Sequence, residues 1–136
     1  MKGTELLRIE VDPKAPTPPS EQIADHVRFA VAAGRLHPGD RLPSVRKLAV
    51  SAQVNPNTVS RAYRELEREG TVETRPGAGC YIAAAGLMSC RALRDRIVSD
   101  RIGRAVREAR DAGLNTLEIE AFVADALREV KQEQIA

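Results

Sequence analysis

The sequence has no tryptophan and only two tyrosines and two phenylalanines, so aromatic residues make up 3% of its 136 positions. Because 43% of the residues are nonetheless hydrophobic, the core must be mainly aliphatic. No run of about 18 apolar residues occurs, which excludes a membrane-spanning helix. The N-terminus also lacks the apolar region of a secretory signal. We therefore expect one compact domain, or a small domain with a short extension, in the cytoplasm.

Residues that could bind metals or act as nucleophiles are also scarce. Cys80 and Cys90 have neither the spacing of a metal site nor that of a disulfide framework, as is typical of proteins in a reducing compartment. His26 and His37 lack a second ligand at metal-binding spacing. No phosphate-binding loop, dinucleotide fingerprint or Ser-His-Asp arrangement is present. The sequence therefore indicates no enzyme, no cofactor and no metal site.

The most informative stretch lies between Leu42 and Gly70. Ser44 is a favourable N-cap for one short helix, and Asn55 followed by Pro56 gives two start signals for a second. Gly70 is placed to end the second helix in a left-handed conformation. In both segments apolar residues recur at helical spacing: Val45, Leu48, Ala49, Val59, Ala62, Tyr63 and Leu66. The pattern predicts two helices joined by a tight turn, which is a helix-turn-helix.

The second of these helices has a polar face near its N-terminus. Asn57, Thr58 and Arg61 lie between the apolar positions. Amides, hydroxyls and guanidiniums at a helix N-terminus suit both base edges and phosphates in a major groove. Arg61 could instead pair with Glu65 four residues later. Tyr63 is expected in the core rather than as a stacking residue, because it lies on the apolar stripe.

A β-hairpin is predicted immediately after the helix-turn-helix. Residues 71–75 alternate and are rich in β-branched side chains, residues 76–79 are turn-forming, and residues 80–82 form a second strand. A hairpin in this position is a wing. The two glycines of its loop, Gly77 and Gly79, would let backbone amides approach a phosphate or the minor-groove rim closely, and Arg75 would supply positive charge.

Residues 1–19 are expected to form an N-terminal arm. Four prolines between residues 13 and 19 forbid regular structure there, so this part is extended. A helix should begin at Ser20 and end at Gly34. A short apolar alternation before the prolines predicts either an edge strand or a packed arm, and its residues are Leu7, Ile9 and Val11.

The C-terminal part, residues 85–136, is predicted to consist of two amphipathic helices, the second started by a capping box of Asn115 and Glu118. Residues 91–111 contain seven arginines against four acidic residues, whereas residues 116–134 contain five acidic residues against two basic ones. Opposite charge favours packing of these helices on each other or on their counterparts in a second chain. Apolar residues expected to support dimerisation are Leu93, Ile97, Ile102, Val106, Phe122 and Leu127.

A series of short motifs follows in one order along the chain. It consists of GRL, PGD and LPS, then NPNTV, RAY, ELE and EG, and finally the RPG and the next G of the wing. In order and spacing they resemble the winged helix-turn-helix of GntR-family transcriptional regulators. The short tail with DAGLNTLEIE resembles the YtrA branch of that family, and the resemblance covers roughly residues 16–132. It implies dimers that bind operator DNA, and in this branch often repressors of operons that include ABC transporters. An unidentified small-molecule effector is a further expectation for the tail.

The resemblance also implies which residues contact DNA. They would be Ser44 and Arg46 in the first helix, Asn55, Asn57, Thr58 and Arg61 in the second, and Arg75 and Gly77 in the wing. Arg41 and Lys47 are added as residues that would steer towards phosphates. The sequence departs from the family pattern at Ser20, Pro56 and Cys80, and at Gln53, where a glycine is expected in the turn. A left-handed Gln53 would cost about 1 kcal/mol.

Together these observations predict a mostly α-helical protein with a small β-hairpin wing: an N-terminal arm (residues 1–19), a winged helix-turn-helix (residues 20–84) and an antiparallel helical hairpin (residues 85–136). The predicted function is that of a dimeric, sequence-specific repressor that binds an inverted repeat. Two alternatives stay open, a DNA-binding architectural protein without sequence preference and a protein-interaction module on a winged-helix scaffold.

Overall fold

The computed structural model describes residues 8–135. Its elements in chain order are α1 (Pro19–Ala32), α2 (Val45–Ala52), α3 (Pro56–Arg68), β1 (Val72–Arg75), β2 (Gly79–Ile82), α4 (Gly86–Asp111) and α5 (Thr116–Ile135). Two compact units are present, one ending at Asp95 and the other beginning at Arg96, so that α4 contributes to both. Among the described residues no helix is long and apolar enough to cross a bilayer.

The predicted start signals of α2 and α3 are confirmed by their capping hydrogen bonds. The Ser44 hydroxyl accepts from the Lys47 amide at 3.1 Å, and the Asn55 side-chain oxygen accepts from the Asn57 amide at 2.8 Å. Each cap satisfies one of the amides that the first helical turn leaves without a partner. After α3, Gly70 adopts φ +86°, as predicted for a left-handed terminator. Helix α1 begins one residue earlier than predicted, because Pro19 suits the first turn of a helix.

The turn between α2 and α3 contains a left-handed residue that is not glycine. Gln53 caps the end of α2 with φ 58° and ψ 49°, and it is the only non-glycine residue of the described chain with positive φ. In this conformation the Cβ atom crowds the following carbonyl oxygen. The strain expected from the missing glycine is therefore present.

Replacing Gln53 with glycine is expected to raise the free energy of unfolding by about 0.5–1 kcal/mol, because glycine adopts this conformation without crowding. Urea unfolding at a single protein concentration measures the change. Gln132→Gly in α5 is the matched control and should lower stability, since glycine is unfavourable within a helix. A Gln53→Gly variant no more stable than the wild type would contradict the predicted strain.

The core of the first unit is aliphatic, as the composition predicts. Helix α3 packs against α1 and α2, and the side chains between them include Ile23, Val27, Val31, Leu48, Val59 and Leu66, all 2% exposed or less. Ile9 is buried at 4% exposure although residues 8–11 form no strand, so of the two predicted arrangements the packed arm is found. Leu7 lies outside the described residues.

The wing is a two-stranded antiparallel hairpin extended by a short third segment. In register, Glu73 faces Tyr81 and Arg75 faces Gly79. On the other side of β2, Arg41 forms an isolated bridge with Tyr81, and the Leu42 amide donates to the Cys80 carbonyl at 2.8 Å. The short extended piece predicted around Arg41 therefore anchors the wing to the segment that leads into α2.

An ion-pair network joins α1 to the end of α3. The guanidinium of Arg28 donates to both oxygens of Glu69, at 2.7 and 2.8 Å, and to Asp25 at 2.9 Å. The Thr71 hydroxyl donates to Glu69 at 2.9 Å, and the Cys90 thiol in the first turns of α4 donates to that hydroxyl at 3.8 Å. The hydrogen bonds to Glu69 raise the pKa of Arg28, which stays charged.

The tail consists of two helices with a capping box between them, as predicted. The Asn115 side chain accepts from the Glu118 amide, and the Glu118 carboxylate accepts from the Asn115 amide, both at 2.9 Å. Within the described residues α4 and α5 do not pack on each other along their lengths. Phe122 is 61% exposed and Leu127 67% exposed. The sequence left two arrangements open, packing of these helices on each other or on their counterparts in a second chain. The structure does not show the first arrangement.

Candidate nucleic-acid interface

Helix α3 presents a polar face to solvent because its other face is fixed in the core. Asn57 and Arg61 are exposed and Thr58 is half-buried, whereas Val59 and Leu66 are fully buried. Residues three and four apart share one side of a helix, so the three polar side chains form a single surface at its N-terminal half. The structure therefore brings together the three residues predicted to read bases.

The alternative ion pair of Arg61 with Glu65 is not the one that the structure shows. Glu65 instead pairs with Arg68, at the solvent-exposed end of the helix. Arg61 is exposed and lies on the same side as Asn57. Its guanidinium is thus placed to contact a base or a phosphate.

A second group of predicted contacts lines a surface depression at the N-terminus of α2. It contains Arg41, Ser44 and Arg46, and also Lys47. Positive side chains around a helix N-terminus favour phosphate binding, because the unpaired amides and the helix dipole add to their charge. Arg41 and Lys47, the two residues predicted to steer towards phosphates, thus both line this basic surface.

Tyr63 fixes the position of α2 relative to α3. It is 8% exposed, as predicted for a core residue, and its hydroxyl donates to the Pro43 carbonyl at 2.7 Å. Burial raises the pKa of the phenol, which therefore remains a hydrogen-bond donor. Because Pro43 precedes the cap residue Ser44, this bond ties the basic surface of α2 to the polar face of α3.

The wing carries the remaining predicted contacts. Gly77 lies in its turn with φ +73°, and a Cβ at this position would meet nothing within 4 Å. Glycine is thus required by the backbone conformation rather than by crowding. The Arg75 guanidinium lies 4.0 Å from the centroid of the Tyr81 ring and 3.1 Å from the Glu73 carboxylate.

The sequence did not indicate the part that Gly79 plays in the wing. Its missing side chain leaves room for the guanidinium of Arg41, whose Nε atom lies 3.0 Å from the position that a Cβ of residue 79 would occupy. This role of Gly79 could not be predicted from the residues around it, because it depends on the bridge between Arg41 and β2, which are far apart in the sequence. Arg41 and Arg75 therefore both lie along the hairpin.

Cys80 and Cys90 are free thiols, and burial raises the pKa of both, which keeps them protonated near neutral pH. No group of three or more potential ligands in residues 8–135 is arranged to hold a metal ion. The surface described above is suited to binding a polyanion.

Fold and surface together define a winged helix-turn-helix regulator. Residues 19–82 match the family model described as "Bacterial regulatory proteins, gntR family". The chain is 36% identical over 123 residues to the HTH-type transcriptional repressor YtrA of Bacillus subtilis, an alignment that covers 90% of this chain and 95% of that protein. The chain therefore belongs to the gntR family, in its YtrA branch.

Solved structures agree with this assignment. A GntR family transcriptional regulator from Listeria monocytogenes superposes with a TM-score of 0.68 at 30% identity, over 82% of this chain and 97% of that one. YtrA from Sulfolobus acidocaldarius, a GntR-family transcription factor, gives 0.54 at 34% identity, over 68% and 98%. The predicted mostly helical winged fold is confirmed, and the chain is a transcriptional regulator rather than an enzyme.

Proposed function

We propose that this regulator is a homodimeric repressor that binds an inverted-repeat operator in the cytoplasm. Each α3 enters a major groove, and the half-sites lie about one helical turn apart. Asn57, Thr58 and Arg61 contact base edges. Phosphate contacts come from the surface at the N-terminus of α2, from the start of α3 and from the wing. The residues that make them are Arg41, Ser44, Arg46, Asn55, Arg75 and Gly77.

The observation that carries this proposal is the two-sided character of α3. One side is buried against α1 and α2, while Asn57 and Arg61 stand in solvent at the N-terminal half. Amide and guanidinium groups can each make bidentate bonds to one kind of base edge. Arg46 and Lys47, adjacent on α2, supply charge that attracts any duplex and sets the register of the helix.

The tail supports the dimeric part of the proposal. Phe122, Val123, Leu127 and Val130 recur at helical spacing on α5 and are between 48% and 67% exposed. An apolar helix face of this kind is expected to be covered by a partner in solution. We assign that partner as the tail of a second chain, with the arginine-rich part of α4 lying near the acidic residues of α5 from the other copy.

The regulatory direction is proposed from relatives. The Bacillus subtilis relative is named a transcriptional repressor, and members of this branch often repress operons that include ABC transporters. A chain that occupies an operator through two half-sites would block transcription of the genes that the operator controls. We further propose that an unidentified small-molecule effector acts on this regulator through the tail.

Selection from a random duplex library tests this proposal. The wild-type protein is expected to enrich an inverted repeat with half-sites about one helical turn apart. Retention of DNA without enrichment of any sequence would support an architectural protein instead. If no DNA is retained at moderate salt, the winged helix serves as a protein-interaction module and the proposal is wrong.

On the selected duplex, Asn57→Ala and Arg61→Ala are each expected to lose about 1–3 kcal/mol of binding free energy and to relax the preference at one base pair. Fluorescence anisotropy on the selected duplex and on single-base variants measures both effects. Lys47→Ala is the matched control and should weaken binding to all duplexes alike. Equal losses on selected and random DNA would refute base reading by Asn57 and Arg61.

A further inference from the structure

Four side-chain positions of the wing share one face of the hairpin. Glu73 faces Tyr81 and Arg75 faces Gly79 in the register. Because successive residues of a strand point to opposite faces, these four lie on the same side. The opposite side carries Ile82, which is 1% exposed in the core. The first side is thus the outer face of the wing.

On this outer face the charge of Arg75 is held in place. Its guanidinium stacks over the Tyr81 ring at 4.0 Å from the centroid, and the Glu73 carboxylate lies at 3.1 Å. A free arginine side chain loses rotamer entropy when it binds a phosphate. A stacked arginine has already lost part of that entropy, so its contact with an anion costs less.

The same tyrosine also contacts the turn of the wing. The Tyr81 hydroxyl donates to the Ala78 carbonyl at 3.0 Å, and the Ala78 amide donates to the Arg75 carbonyl at 2.8 Å. These two bonds close the turn around Gly77, whose backbone has the left-handed conformation. One side chain therefore holds both the charged group and the backbone that are expected to meet DNA.

The structure assigns to Tyr81 the role of a positioning residue, which presents the Arg75 guanidinium to a phosphate of bound DNA without contacting the DNA itself. This inference rests on the proposed function, because it needs DNA at the wing. It concerns phosphate contact rather than base reading, so it applies to any duplex sequence. Its effect is therefore measurable separately from sequence preference.

A double-mutant cycle of Tyr81→Leu and Arg75→Ala tests the inference, with the full-length protein titrated on the selected duplex and on a random duplex at several salt concentrations. Tyr81→Leu is expected to weaken binding about two- to twelve-fold, the size of the entropy lost when one free arginine side chain is ordered on binding. The slope of log affinity against log salt should fall by about one unit. The double variant should bind as Arg75→Ala alone does.

Tyr81→Phe is the conservative variant, because it keeps the ring under Arg75 and removes only the bond to Ala78. It is expected to keep a salt slope close to that of the wild type. Arg68→Ala removes one positive charge elsewhere on the unit and controls for net charge. Thermal unfolding by circular dichroism shows whether each variant retains the fold.

Additive losses from Tyr81→Leu and Arg75→Ala would overturn the inference, and so would a wild-type salt slope in Tyr81→Leu. If the wild type binds all duplexes equally, the proposed base reading fails while the cycle on random DNA still decides the role of Tyr81. If the wild type binds no DNA at all, both the proposed function and this inference are wrong.

Discussion

Replacing Arg28 with methionine is expected to lower the free energy of unfolding by about 3–5 kcal/mol, the typical effect of removing one partner from a buried ion pair. Arg28 is 7% exposed and donates three hydrogen bonds to the carboxylates of Asp25 and Glu69. Methionine keeps much of the apolar stem but leaves the buried Asp25 carboxylate and that of Glu69 without this positive partner. Urea unfolding at a single protein concentration measures the loss.

The matched control is Arg68→Met, because Arg68 pairs with Glu65 at the surface of the same unit. An exposed pair contributes about 0–1 kcal/mol, so this variant should unfold nearly as the wild type does. Adding Glu69→Gln to Arg28→Met should recover part of the loss, since one uncompensated charge is removed. An Arg28→Met variant within about 1 kcal/mol of the wild type would contradict the importance of the network.

Phe122→Asp is expected to convert the proposed dimer into a monomer and to weaken binding to the proposed inverted-repeat operator at least about 100-fold. An aspartate on the apolar face of α5 would have to be buried without a partner in the dimer. A dimer holds its second winged helix at high effective concentration over the second half-site, which strengthens binding by about 10²–10⁴. Light scattering measures the oligomeric state, and fluorescence anisotropy measures affinity.

Gln132→Asp is the matched control, because it introduces the same charge at an exposed position of α5 outside the apolar residues. It should remain dimeric and bind as the wild type does. Phe122→Asp should still bind a duplex with a single half-site as well as one wild-type winged helix does. A Phe122→Asp protein that stays dimeric would show that α5 does not form the interface.

Local features of this fold were predictable because their causes are local. Ser44 and Asn55 cap helices through bonds to amides two or three residues away, and Gly70 ends a helix through its own φ. The strain at Gln53 followed from a single departure at a turn position. The exposure of Asn57 and Arg61 was predictable, because the apolar periodicity of α3 leaves them on the side opposite the core.

The remaining features depend on contacts between distant parts of the chain. Arg28 and Glu69 are 41 residues apart, and nothing in the neighbourhood of either residue indicates that they pair. The stacking of Arg75 on Tyr81 follows only once the hairpin register is known. The arrangement of α4 and α5 could not be chosen from sequence, because opposite charge and apolar faces favour packing within a chain and between chains alike.

We propose that two copies of this chain read one inverted repeat in sequence-specific fashion. An anisotropy titration of the wild-type protein with the selected duplex, near physiological salt and in excess random competitor DNA, tests this proposal. We predict saturable binding that survives the competitor, with two chains per duplex. Binding that random DNA displaces in proportion to its concentration, or saturation at one chain per duplex, would contradict the account.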